Sequence, residues 1–149
     1  MRRNALVRMA ALLLAVSCLM PDFAYAAAPE TSQTMASSCF DICSAHVSAF
    51  GGGKIAIAFL VRGMQVMDKI GAESIVLYES TDQAKWSQVK TFDGSVYLGM
   101  IGEDADSHDG TVTYYGVAGR YYKAYVCVYA QKGTGAESRY IWTSVQRAN

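Results

Sequence analysis

Proline is almost missing from this chain. There are two, Pro21 and Pro29, both ahead of the regular part, so polyproline rods and proline-rich linkers are excluded. Charge of one sign is missing too. Lys and Arg total 13 and Asp and Glu total 13, and no stretch gathers the basic ones into a stripe. A surface that grips nucleic-acid phosphates or an anionic lipid headgroup is therefore not expected. Histidine occurs twice, as His46 and His108. Neither stands at ligand spacing from a cysteine, which leaves no zinc motif. No apolar run approaches the roughly 20 residues that carry a helix across a bilayer.

What is present begins with an export signal. Arg2, Arg3 and Arg8 form a basic start, Ala10 to Met20 is a short apolar core, and Ala24-Tyr25-Ala26 is a small-x-small cleavage site. Residues 1–26 read as a signal peptide cleaved after Ala26, giving a secreted protein with no stable membrane insertion. Ala15-Val16-Ser17-Cys18 loosely fits a lipobox, so a lipoprotein tethered through Cys18 is the alternative. The apolar Leu19-Met20 behind it and the better site at Ala26 favour release. Loss of Arg2, Arg3, Arg8 and Asp22 leaves ten basic against twelve acidic side chains, a net charge near −2. Residues 27–38 are small and polar and read as a flexible leader. Residues 39–149 are the size of one domain.

Three cysteines remain after cleavage, Cys39, Cys43 and Cys127. An exported chain can oxidise them, yet an odd number leaves at least one thiol over. Four residues of extended chain span ~13 Å at about 3.3 Å per residue, so Cys39 and Cys43 bond only across a bend. Free thiols stay open as the alternative to a disulfide.

The stretch from Tyr121 to Ala130 organises the domain. Tyr122, Ala124, Val126, Val128 and Ala130 form one face at period two, and Tyr121, Lys123, Tyr125, Cys127 and Tyr129 form the other. Ten residues without Pro or Gly and with bulk on both faces predict a central strand. Before it, Cys43–Ala49 and Lys54–Arg62 alternate around Gly51-Gly52-Gly53 and predict a hairpin, with Ile55, Ile57, Phe59 and Val61 inward. Gly63 to Glu73 reads as a helical turn or an irregular crossing segment, a short helical period and a loose strand pattern scoring about equally there. Strands are also expected at Ser74–Ser80, Lys85–Phe92, Ser95–Ile101, Thr111–Val117 and Ser138–Val145, with an acidic loop at Gly102–Gly110. Seven or eight strands at this spacing predict an all-β antiparallel sandwich around one core, with a closed barrel second.

Tyr122 to Ala130, Gly133-Thr134-Gly135 and Ser138 onward resemble the F strand, turn and G strand of immunoglobulin-like and fibronectin type III-like domains. Ile75 to Asp82 with Lys85-Trp86 resembles their C–C′ region. The resemblance covers about the second half of the mature chain. It departs in lacking the early-strand Trp, since Trp86 falls much later, and in the long Met64–Ile70 insert. The whole chain also resembles small exported bacterial proteins of unknown function. On the family's topology the strands of Tyr78, Tyr125 and Tyr140 lie side by side, so Tyr78, Tyr125, Tyr129, Tyr140 and Trp142 share an outer face. Ile75, Leu77, Val126, Val128, Ile141 and Val145 then lie on the inner one.

That aromatic face is the candidate binding surface for a protein, a peptide or a glycan, or for a second copy of the chain. The plainer reading makes the rings cross-strand pairs that stabilise the sheet by ~0.2–1 kcal/mol each. Asp104, Asp106 and Asp109 in the acidic loop are a candidate calcium set. The order departs from an EF-hand and no helix flanks it, so a solvated loop outranks it. No Ser or Cys is placed for activation by either histidine, and Cys127 between two valines reads as structural. The expected protein is a non-enzymatic binding module that needs no cofactor, ahead of a self-associating envelope domain and a small secreted hydrolase.

Overall fold

The computed structural model describes residues 38–149, so the expected signal peptide, Cys18 and nearly all of the expected leader lie outside the described residues. Seven antiparallel strands make up one sheet: β1 (Phe40–Ala49), β2 (Lys54–Ser80), β3 (Ser87–Asp93), β4 (Ile101–Tyr115), β5 (Tyr121–Lys132), β6 (Gly135–Trp142) and β7 (Gln146–Arg147). A single 3₁₀ turn at Gly51–Gly53 joins β1 to β2. Among the described residues there is no α-helix, and no helix is long and apolar enough to cross a membrane.

The sheet is built on β2, whose 27 residues run through two neighbourhoods. Its first half pairs with β1 on one side and β4 on the other. Its second half pairs with β3 and β5, and β6 extends the sheet beyond β5. The sheet curls into a half-barrel about one core. The curl brings the start of β1 to β6: the Cys39 N–H donates to the Glu137 carboxylate (3.3 Å), and the Arg139 guanidinium lies 5.2 Å from the Phe40 ring centroid.

Parity along β5 is as expected. Tyr122, Ala124, Val126, Val128 and Ala130 are all fully buried. They meet Ile55, Ile57 and Val61 of the first half of β2 and Ile75 and Leu77 of the second, also fully buried, in one apolar cluster. Burying side chains of this size removes roughly 1.5–3 kcal/mol of exposure cost each.

Four local expectations need correction. Gly63 to Glu73 is strand, and the two expected strands around it are one strand, β2. Alternation fails there because the register shifts between Arg62 and Met67 and again between Ala72 and Ser74. The inward set is odd-numbered up to Met67, even-numbered at Ile70 and Ala72, and odd-numbered again at Ile75 and Leu77. Ser95–Ile101 is turn rather than strand up to Met100, where Asp93 directs the chain: its Oδ1 accepts from the Ser95 N–H (2.8 Å), and its carbonyl accepts from Val96 and Tyr97. The acidic loop is the first part of β4, pairing Met67↔Ala105, Lys69↔Glu103 and Ile70↔Gly102. The last long strand stops at Trp142 instead of Val145, and Val145 is more exposed than its inner-face assignment required.

Candidate functional site

The outward side of β5 carries Lys123, Tyr125, Cys127 and Tyr129, because a strand sends alternate side chains to opposite faces. Register then selects their neighbours. Tyr78 of β2 lies opposite Lys123, and Trp142 and Tyr140 of β6 lie opposite Tyr125 and Cys127. The rings meet as this predicts. Tyr125 stacks on Tyr140 at 5.3 Å between centroids and 12° between planes. Tyr125 also meets Trp142 at 4.5 Å, and Trp142 meets Tyr78 at 5.5 Å. Tyr140 and Trp142 remain 63% and 53% exposed, so the cluster is not sealed by the rest of the chain.

Two members of this surface were not singled out from the sequence. The Lys123 ammonium sits between two indoles, 4.3 Å from the Trp86 centroid and 4.7 Å from that of Trp142. Such contacts are worth about 0.5–1 kcal/mol at exposed sites. The turn after β2 sets the position of Trp86. Asp82 Oδ1 accepts from the N–H groups of Ala84 and Lys85 at 2.9 Å each, and Gln83 takes a positive φ of 61°. Those bonds, the one from Lys85 first, hold the Asp82 carboxyl below the usual carboxylate range. The Gln83 carbonyl then accepts from the Trp86 indole at 3.0 Å. Lys123 was legible by parity alone, whereas nothing in the sequence linked it to Trp86.

Tyr129 stands apart from the other rings. Its hydroxyl donates to Gln131 (2.9 Å), and it lines a groove of about 820 Å³ with Lys69, Glu73, Tyr97, Leu98 and Glu103. The bulge at Glu73 turns that side chain onto the outer side, where it accepts from the Cys127 thiol at 3.5 Å. Cys127 thus lies on the outer face as expected yet is 4% exposed. Burial, then the bond to Glu73, pushes its thiol up, which suits an inert group. All three described cysteines are free thiols.

The candidate calcium set does not assemble. Asp104, Asp106 and Asp109 lie exposed along β4, and among the described residues no three His, Cys, Asp or Glu groups converge on a metal position. His108 instead places Nε2 at 2.8 Å from the Gly99 carbonyl and its ring at 6.0 Å from Phe59. His46 is exposed on β1.

No family model and no curated protein matches this chain. Among solved structures, it is similar to the crystal structure of Spo0M, a sporulation control protein from Bacillus subtilis. Identity is 13% and the TM-score 0.37, over 68% of this chain. The match spans 48% of that protein's chain, and a likeness at this level carries no argument about function.

Proposed function

We propose that this is an exported, non-enzymatic binding module of the immunoglobulin-like or fibronectin type III-like sandwich class, whose recognition surface is the outer face of β2, β5 and β6. The observation that carries the reading is the four-ring cluster of Tyr78, Tyr125, Tyr140 and Trp142, in stacked and tilted contact yet more than half exposed at its two β6 members. Cross-strand stabilisation accounts for the contacts among the rings. It does not account for leaving two large aromatic surfaces in water on the same patch, where apolar exposure costs about 25 cal/mol per Å². Rings with a polar tip are the groups that anchor ligands at such surfaces.

The test is a combined glycan and peptide array probed with the wild-type chain and with Tyr140→Ala and Trp142→Ala. Loss of a bound class in both variants, with circular dichroism unchanged, is the expected outcome. An identical profile in all three proteins removes the reading. Self-association through the same face is the second reading, favoured by the position of β6 at the end of the β1-β2-β5-β6 path. Sedimentation velocity decides it, since a monomer at every concentration excludes it.

A further inference from the structure

The ring cluster and the groove beside Tyr129 belong to one surface. Glu73 connects them: it lines the groove, and its Oε2 accepts from Cys127, which pairs in register with Tyr140. The Tyr140 ring in turn stacks on Tyr125. Lys123, Tyr125, Cys127, Tyr129 and Gln131 follow one another along the outer side of β5, a span of about 26 Å at about 3.3 Å per residue.

Three features of the strip define its ligand. Charges of both signs line it, Lys69 and Lys123 against Glu73, Asp93 and Glu103, so a ligand of one strong sign meets like charge somewhere along its length. Mixed donors and acceptors suit hydroxyl groups, which both give and accept hydrogen bonds. Second, β5 is paired with β2 on one side and β6 on the other. Its backbone groups are already bonded, whereas a peptide that binds as an added strand needs an open edge. The face therefore offers side chains only. Third, flat rings alternate with polar tips, which fits a ligand with apolar C–H faces and hydroxylated edges.

On the premise that the outer face is the recognition surface, we infer that the groove and the ring cluster form one continuous binding strip for a neutral oligosaccharide, one end of which is seated beside Tyr129. The ligand class is set by the mixed charge of the strip and by the backbone of β5, which is paired on both sides beneath it. Length is set by the strip itself.

The experiment titrates the full chain with neutral β-1,4-linked oligosaccharide ladders, of glucose and of N-acetylglucosamine, from disaccharide to hexasaccharide. It is run beside a neutral-glycan array and a basic and an acidic peptide. Affinity is expected to rise about tenfold or more with length for the saccharide series that binds, since each added unit engages further side chains of the same strip. Tyr129→Ala is expected to abolish that gain. Glu103→Gln, an exposed substitution with little risk to folding, is expected to reduce the gain as well. Length-independent binding that Tyr129→Ala and Glu103→Gln both leave unchanged overturns the continuous strip. Binding of a peptide but of no neutral saccharide overturns the ligand class, and leaves the ring-face reading standing if Trp142→Ala abolishes it. Binding that survives both Tyr140→Ala and Trp142→Ala defeats the ring-face reading itself.

Discussion

Gly71→Ala is expected to destabilise the protein by about 3 kcal/mol or more, a loss at the upper end for single substitutions. Gly71 has φ of 151°, and a Cβ added to it would lie 2.1 Å from the Met100 carbonyl oxygen and 3.0 Å from the Ile101 Cα. Both obstacles are backbone, so no rotamer change relieves them. The Met100 carbonyl is also fixed, because it accepts from the Ala72 N–H at 2.8 Å. Here β2 is held between β4 and β5, with Gly71 paired to Ile101 on one side and to Tyr129 on the other. Movement of β2 to make room therefore disturbs both pairings. Urea unfolding of Gly71→Ala and wild type measures the difference, and roughly equal midpoints would show that β2 does not pass this close to Met100. Gly133→Ala is the control: it also has a positive φ, but a Cβ there meets nothing within 4 Å, so it reports backbone strain without the clash.

Tyr122→Phe is expected to cost about 1–3 kcal/mol, because it leaves polar partners unmatched rather than because it removes volume. Tyr122 is fully buried. Its hydroxyl donates to Glu79 and accepts from the Val117 N–H at 2.8 Å, while Arg120 closes the group from the other side of the Glu79 carboxylate. Without the hydroxyl, the Val117 N–H loses its acceptor and Glu79 loses a donor. The same group gives a pH signature. Burial first, and then the bond to Glu79, pushes the Tyr122 hydroxyl up to about 12, above its ordinary value near 10. The folded state therefore holds this proton more tightly than the unfolded state does. Its stabilising contribution is complete below about pH 10 and is lost as pH rises through about 12. Wild-type stability should fall more steeply across that window than stability of Tyr122→Phe, by urea melts at stepped pH. Parallel curves would mean that the hydroxyl is not engaged with Glu79.

Period-two alternation made the core legible wherever strand geometry is regular. Tyr122 to Ala130 and Ile55 to Val61 were read inward and lie inward, because each sits in an uninterrupted ladder. The same rule failed between Gly63 and Glu73, where the register is irregular and the inward parity changes twice within one strand. A pattern rule that assumes constant parity scores a strand there no better than a short helical turn. The acidic run at Glu103–Asp109 misled for another reason. Polar side chains on a solvent-facing stretch of strand look, in one dimension, like a loop. Four of the five aromatic residues assigned to one surface do meet, since parity and strand adjacency together fix their positions. Tyr129 was assigned to the right face but to the wrong neighbours. Trp86 is not placed on this surface by any strand pattern, because a turn organised by Asp82 brings its ring over Lys123.

Recognition on the odd-numbered side of β5 is the proposal on which the binding experiments rest. Trp142 is the reporter placed on that side, and Trp86→Phe leaves Trp142 as the only tryptophan of the two in the chain. The most direct measurement is the emission of Trp142 in that variant during titration with the oligosaccharide that binds the wild type best, with calorimetry run on the same samples. The expected result is a saturable change in emission that tracks the heat and that Tyr140→Ala weakens about tenfold or more. Heat of binding with Trp142 emission unchanged throughout would place the ligand on another face and contradict it.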